Sequence, residues 1–268
     1  MIKPKLAGLS IQERKIISTF AANEQTTVGP TDVMAIHPCK RETANRILGR
    51  MTQKGWLQRL KHGVYAVVPL SSSIPEPIVE ETLALAMDIF RPAFISGWSA
   101  AEHWSLTEQI FNSISVVTMI KQRKTTHMIG NVRFRTRTLS KEKFFGQKTV
   151  WQGSKAISIA DPSRMIIDIL DLPRFGGGGR HTLDIVNQYW HSEKCDQNLL
   201  LEYALRYKRG TIFKRLGFLA EKLNAPVSEE WYETCRKNLS KGISYLDPDG
   251  PEKGRIVSKW NLCINIPL

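Results

Sequence analysis

The sequence predicts an α+β protein, in which an N-terminal winged helix-turn-helix precedes a larger mixed α/β domain with a helical C-terminal part. Residues 10–69 carry the order helix, helix, helix, hairpin. Residues 79–170 alternate helical patterns with short apolar strands, and residues 182–239 carry only helical patterns. The length of 268 residues suits two domains. We place them at 1–70 and 78–268, joined by the polar, proline-rich linker 71–77.

The first two helices have clear start signals. Ser10 and Glu13 form the S-x-x-E pattern of a capping box, which predicts a helix running to about residue 22. A short strand is expected at residues 26–28. Pro30 suits the first position of a brief second helix, because a proline there gives up no helical hydrogen bond.

The third helix and the hairpin after it are the most informative part of the chain. Apolar residues three and four positions apart (Ala44, Ile47, Leu48 and Met51) predict one buried stripe. The opposite face is polar and basic, and residues 56–60 and 64–68 predict a hairpin that turns at 61–63. In a winged helix the helix enters the major groove and the hairpin follows the backbone. The predicted DNA contacts are Arg41, Thr43, Asn45, Arg46, Arg50, Arg59, Lys61 and His62.

The charge of the chain supports a polyanionic partner. The net charge is +13, of which +7 falls in residues 1–70. Such an excess favours double-stranded DNA over an anionic membrane, because the basic residues are not gathered on one long amphipathic helix. No apolar run approaches a transmembrane span or a signal peptide, so a cytoplasmic protein is expected.

The second domain is predicted to alternate strands and helices. Asp161 followed by Pro162 marks the start of a helix that runs to about residue 170. Alternation over residues 257–266 predicts a closing strand, with Trp260, Leu262 and Ile264 facing inward.

A basic strand is expected at residues 132–138. Alternation places Arg133, Arg135 and Arg137 on one face, and no acidic partner is evident nearby in the sequence. Two interpretations remain open: a solvated strand face, or a second basic surface for nucleic acid or an acidic partner.

Other motifs give weaker indications of chemistry. Residues 176–179 are all glycine but lack the Gly-Lys-Ser/Thr ending of a phosphate-binding loop, so a hinge or loop is expected. His191 with Cys195, and the carboxylates Asp161, Asp168 and Asp171, could suggest a metal or nuclease site, but no supporting ligands accompany them. We therefore expect no catalytic residues, no metal and no cofactor. The cysteines Cys39, Cys195, Cys235 and Cys263 are expected as free thiols.

Three segments resemble a known family. GWLQRLKHGVYAVVP (55–69), FISGWSAAEHWSLTEQIFNSISVVT (94–118) and IADPSRMIIDILDLPRFGGG (159–178) are similar, in this order, to AbiEi-type antitoxins of type IV toxin–antitoxin (abortive infection) systems. The resemblance implies that the N-terminal domain represses its own operon at promoter inverted repeats. It also implies that the C-terminal domain neutralises a cognate nucleotidyltransferase toxin, in many systems without a stable complex.

Two other functions remain as alternatives. The chain could be a winged-helix regulator whose second domain senses a ligand, which a deep apolar pocket would favour. It could also be a nuclease directed to DNA by the winged helix, which metal-dependent cleavage would reveal.

Overall fold

The computed structural model describes residues 8–23, 25, 27–61, 63–68, 79–129, 132–153 and 155–268. Contacts divide the chain into two compact units: Met1–Ile89 with Met128–Arg133, and Phe90–His127 with Phe134–Leu268. The first unit thus includes residues 79–89, which lie beyond the N-terminal domain predicted from the sequence. The predicted linker 71–77 lies outside the described residues.

The first unit has the predicted winged-helix order. Its elements are α1 (Ile11–Ala22), β1 (Thr27–Val28), α2 (Pro30–Ile36), α3 (Arg41–Gln53), β2 (Leu57–Lys61) and β3 (Val64–Val67). The strands form an antiparallel sheet in the order β1-β3-β2. The capping box at α1 is present, since Ser10 Oγ accepts from the Glu13 main chain and Glu13 Oε2 accepts from the Ser10 main chain.

One apolar core holds these elements together. Side chains from α1, the sheet and α3 are at most 2 % exposed at Ile16, Phe20, Val28, Leu48 and Met51. They belong to one cluster that draws on every element of the winged helix. Burial of the α3 stripe in this core fixes the rotation of α3, so its polar face must point away from the unit.

A six-stranded mixed sheet follows the winged helix in sequence, with strand order β6-β7-β5-β4-β9-β8. Its residues 128, 129, 132 and 133 are assigned to the first unit and the others to the second. The strands are β4 (Ala93–Ile95), β5 (Ile114–Thr118), β6 (Thr126–Ile129), β7 (Val132–Thr138), β8 (Gln147–Gln152) and β9 (Lys155–Ala160), preceded by α4 (Val79–Phe90). Strand β5 is parallel to β7 and antiparallel to β4, which is in turn parallel to β9.

Six of the described helices belong to the second unit. They are α5 (Gly97–His103), α6 (Pro162–Asp171), α7 (Gly179–Trp190), α8 (Gln197–Tyr207), α9 (Gly210–Lys222) and α10 (Glu229–Lys237). Every residue of α6 is buried, and the helix is capped as predicted, because Asp161 Oδ1 accepts from the Arg164 main chain at 2.9 Å. Among the described residues, no helix has the length and apolarity to cross a membrane.

The prediction of one regular closing strand at residues 257–266 is wrong. The segment instead contains β11 (Arg255–Val257), a 3-10 turn, and β12 (Leu262–Ile264), which pairs with β10 (Ser244–Tyr245). Asn261 breaks the alternation with φ near +47°. Cys263 and Asn265, expected to face outward, are 5 % and 6 % exposed. Asn265 is tolerated inside because its amide donates to the main chain of Asp247 and Pro251.

Candidate nucleic-acid interface

The polar face of α3 is exposed as its apolar stripe requires. Ala44, Ile47, Leu48 and Met51 are at most 2 % exposed, whereas Arg41, Asn45, Arg46 and Arg50 are exposed. Thr43 is partly buried, and its Oγ1 lies 3.5 Å from Arg46 Nη2, which donates to it. The helical period places Glu42, Arg46, Gly49 and Gln53 closest to the centre of the exposed face, with Asn45 and Arg50 to either side.

Gly49 falls on the polar face of α3 predicted from the sequence, but it is not among the predicted DNA contacts. A glycine inside a helix costs about 1 kcal/mol relative to alanine. A Cβ built at Gly49 would meet no atom within 4 Å, so nothing within the described part of the chain requires a glycine there. A glycine at the centre of the exposed face allows a close approach by an outside molecule. The signal available in the sequence was a glycine inside a strongly amphipathic helix.

The hairpin of the wing is irregular near its turn. Strand β2 pairs with β3, and the register shifts between Arg59 and Lys61, where the pairing is irregular. Gly63 has φ near +74°, a conformation that favours glycine. Arg59 is exposed on β2. The Lys61 side chain and His62 lie outside the described residues, so their predicted roles remain predictions.

A buried carboxylate supports the C-terminal end of α3. Glu13 is 1 % exposed, and its carboxylate lies 2.6 Å from Lys54 Nζ and 3.4 Å from Arg50 Nε. Burial alone would raise the pKa of Glu13, but hydrogen bonds from Lys54 and Ser10 outweigh burial and hold that pKa below its ordinary value. The carboxylate is therefore charged at neutral pH.

The Glu13 carboxylate makes two sets of contacts, and the sequence predicted only the first of them. Glu13 completes the capping box of α1, and it also orients the basic side chains at the end of α3. Arg50 remains 52 % exposed, so part of its guanidinium is open to a phosphate. The contact links residues 37 positions apart in the chain, and the local pattern around Glu13 contains no trace of it.

The arginine face of β7 is not uniformly free of acidic partners, contrary to what the sequence had suggested. Alternation is confirmed, since Phe134 and Thr136 are buried while Arg133 and Arg135 are exposed. The absence of an acidic partner is wrong for Arg137, whose side chain is 11 % exposed and ion-paired with Asp168 and Asp171. Both carboxylates belong to α6, which packs on this face of the sheet.

The other two strand arginines have different surroundings. The Arg135 guanidinium lies over the Trp98 ring at 5.0 Å from the ring centre, a cation–π contact. Arg133 is exposed. Arg137 is therefore not part of a second basic surface. Such a surface remains a prediction for Arg133 and Arg135 alone.

The remaining candidate positions have local structural partners. Asp161 caps α6, and Asp168 and Asp171 are bound in ion pairs. In the glycine run, Gly179 N–H donates to Asp247 Oδ2 at 2.7 Å, so a carboxylate of the chain occupies the start of α7. His191 Nδ1 lies 2.8 Å from the carbonyl oxygen of Asn187. Among the described residues no group of three His, Cys, Asp or Glu side chains could hold a metal, and the four cysteines are free thiols.

A cleft of about 650 Å³ opens in the second unit beside the starts of α6 and α8. Most of its lining is polar or charged: Trp104, Lys148, Asp161, Pro162, Ser163, Glu193, Lys194, Cys195, Asp196, Gln197, Asn198 and Leu199. This is not the deep apolar pocket that would favour a ligand-sensing domain.

Comparisons with known proteins support the fold and identify no function. No protein-family model matches the chain, and no curated protein matches its sequence. Among solved structures the chain is similar to the RV2827C protein from Mycobacterium tuberculosis, with a TM-score of 0.65 and 13 % identity. The similarity covers 98 % of this chain and 94 % of that one. At this identity it supports the fold alone, over both units.

Proposed function

We propose that this protein is a cytoplasmic DNA-binding autorepressor and antitoxin of a type IV toxin–antitoxin system. One observation carries the DNA-binding part. The α3 face opposite the buried stripe presents Arg46 and Gly49 near its centre beside Glu42, with Asn45 and Arg50 to either side and Arg41 at one edge. Exposed basic and amide groups on a helix held rigidly from behind suit a major groove.

Each residue type suggests its own contact. An arginine can donate two hydrogen bonds to guanine O6 and N7, and an asparagine can pair with adenine N6 and N7, so Arg46 and Asn45 are the proposed base readers. Arg41, Arg50 and Arg59 lie toward the edges of α3 and on the wing, where phosphates are expected. Inverted repeats in the promoter would be read by two copies of the chain, one on each repeat.

The antitoxin part rests on the resemblance of residues 55–69, 94–118 and 159–178 to AbiEi-type antitoxins. It assigns the second unit to neutralisation of a nucleotidyltransferase toxin. A ligand-sensing regulator is less well supported, because the cleft in that unit is polar. A nuclease is less well supported too, because Asp168 and Asp171 are engaged by arginines.

DNA binding is tested with the full chain and a fragment of its own promoter, by fluorescence anisotropy over a range of salt concentrations. Neutralising roughly 4–6 phosphates gives an expected log–log slope of about −4 to −5. A scrambled fragment of the same length is the control and should bind more weakly at each salt concentration. A slope near zero would contradict the electrostatic basis of the proposal.

Neutralisation is tested in cells that express a nucleotidyltransferase encoded beside this gene. Co-expression of the chain should restore growth, and a promoter reporter should be repressed in the same cells. If growth is not restored while repression persists, the ligand-sensing alternative gains. Cleavage of DNA that depends on a divalent metal would instead favour the nuclease.

A further inference from the structure

A cluster of charged side chains surrounds the C-terminal half of α6. It contains four cationic side chains and two carboxylates, and we call it the α6 cluster: Arg137, Lys143, Arg164, Arg209, Asp168 and Asp171. All six residues belong to the second unit. The formal charge of the cluster is therefore +2, in a region where most of the side chains are shielded from water.

Both carboxylates of the α6 cluster are already engaged. Asp168 accepts from Arg164 Nη2 at 3.0 Å and from Nε at 3.1 Å, and Ser96 Oγ donates to it at 2.8 Å. Asp171 pairs with Arg137, and Arg209 Nη1 lies 2.9 Å from its Oδ1. The Tyr207 hydroxyl donates to Asp171 at 2.9 Å, and burial raises the pKa of that hydroxyl to about 12, which keeps it protonated.

Positive charge is left over after these pairs are made. Lys143 Nζ lies 4.4 Å from the centre of the Tyr207 ring, and no carboxylate oxygen of the described residues lies within 4 Å of it. Burial lowers the pKa of Lys143, and so do the charges of Arg209, Arg137 and Arg164, in that order. Arg164 Nη1 is buried with no hydrogen-bond acceptor among the described residues. Arg164 is fully buried and lies over the Phe145 ring, so Lys143 is the cation that a bound anion could compensate.

The start of α9 adds to the same positive field. Arg209 is the N-cap residue of this 13-residue helix, where a cation is disfavoured by the helix dipole. No side chain caps the helix, and its first turn contains no acidic residue. Asp171 compensates Arg209 in part, and Arg209 remains 53 % exposed. An anion bound beside Arg209 would therefore be stabilised by both the guanidinium and the end of the helix.

We propose that the exposed side of the α6 cluster, formed by Arg209 and Lys143 and backed by Arg137, binds the terminal phosphate group of a phosphorylated ligand. The charge match selects this chemistry. A phosphate monoester carries a charge of about −1.5 to −2 at neutral pH, which balances the +2 of the cluster. A phosphodiester of a nucleic-acid backbone carries a charge of only −1 per group and would leave the cluster half compensated. Arginine and lysine together offer both forked and single donors to such a group.

The test uses isothermal titration calorimetry on the full chain with three probes at equal ionic strength: inorganic phosphate, adenosine 5′-monophosphate and dimethyl phosphate. The first two should bind, and the monoanionic diester should bind at least about tenfold more weakly. Tighter binding of the nucleotide than of inorganic phosphate would identify a nucleotide as the source, and equal binding would identify the phosphate group alone. Both results support the site.

Variants locate the site. Lys143→Gln should weaken binding of inorganic phosphate about tenfold or more, because a charged donor is lost, and Lys143→Arg should restore it to within about threefold. The matched control is Lys141→Gln on the same turn. Lys141 is exposed, so this substitution removes the same charge without changing a residue of the α6 cluster. Lys143 makes no ion pair with the carboxylates and loses only its contact with the Tyr207 ring, so the thermal midpoint of unfolding should shift by no more than about 2–4 °C.

Two results would overturn the site. Equal losses in Lys143→Gln and Lys141→Gln would mean that phosphate follows the general basic surface. Equal affinity for dimethyl phosphate and inorganic phosphate would remove the charge match. Operator binding of the same variants is measured in parallel and should equal that of the natural sequence. The phosphate site and the DNA-binding proposal can therefore fail independently of each other.

Discussion

The arginines of helix α3 and those of strand β7 have opposite surroundings, although both sets follow the regular spacing of their element. On α3, Arg41, Arg46 and Arg50 point away from the core and are exposed. On β7, Arg137 is 11 % exposed and lies in ion pairs with two carboxylates. Spacing determines which side chains share a face. Whether that face meets water depends on what packs against it.

The physical difference lies in what each element leaves uncovered. An amphipathic helix on the edge of a small unit covers only its apolar stripe, so its polar face stays free. A strand inside a mixed sheet can be covered on both faces. Helix α6 lies over the arginine face of β7 and supplies Asp168 and Asp171. Their ion pairs with Arg137 offset the free-energy cost of burying its charge.

The largest expected effect concerns Arg137. Arg137→Gln should lower the free energy of unfolding of the second unit by about 3 kcal/mol, because it removes a charged partner from the buried Asp168 and Asp171 and leaves each with one arginine. Urea unfolding followed by tryptophan fluorescence measures the change. Arg133→Gln, on the same face but exposed, is the control and should change stability by less than about 0.5 kcal/mol. Similar small losses in the two variants would remove the distinction drawn between the two arginine sets.

The next effect sharpens the description of α3. Arg46→Ala should cost about 1–3 kcal/mol of binding free energy on the operator and little on unrelated DNA, as expected for a base reader. Arg50→Ala should weaken binding to both DNAs about equally, since Arg50 is held at the edge of α3 by Glu13. Anisotropy titrations at one salt concentration measure both. Equal effects of Arg46→Ala on the two DNAs would exclude base readout by that residue.

A third prediction uses the buried carboxylate. Glu13→Gln should lower stability at pH 7 by about 1–2 kcal/mol, because the charged hydrogen bond from Lys54 and the ion pair with Arg50 are lost. The folded pKa of Glu13 lies below the unfolded value of about 4.3, so this stabilisation is complete above that value. It is lost as the pH falls through the folded pKa.

The difference between the natural sequence and Glu13→Gln should therefore shrink as the pH falls below about 4. Thermal unfolding at several pH values measures it, and the exposed Glu42→Gln serves as control. A difference that stays constant down to pH 3 would show that the charge of Glu13 is not what stabilises the fold.

The smallest effect concerns Gly49, where stability and binding should move in opposite directions. Gly49→Ala should raise the free energy of unfolding by about 0.5–1 kcal/mol, because alanine favours the helix and its Cβ meets no atom of the chain. Operator affinity should fall if the helix backbone approaches DNA there. Unfolding midpoints and anisotropy on the same sample separate the two. Unchanged affinity would place the DNA contact elsewhere on the face.

Local patterns were sufficient for much of the fold. The capping box of Ser10 and Glu13, the Asp161 cap and the apolar stripe of α3 each depend on residues within one or two helical turns. Such signals are read directly from the sequence. The irregular tail was not. Asn261 interrupts the alternation with a left-handed conformation, and Asn265 is held inside by hydrogen bonds to the main chain of Asp247 and Pro251, 18 and 14 positions away.

The sequence by itself determined the winged helix, the exposed basic face of α3 and the alternation along β7. It did so because backbone periodicity and end caps are short-range properties of the chain. Only the tertiary structure decided which charges are free. Glu13 contacts Arg50, 37 positions later in the chain. Asp171 contacts both Arg137, which precedes it by 34 positions, and Arg209, which follows it by 38. The free energy of a buried charge depends on partners that folding brings together, and no local spacing encodes them.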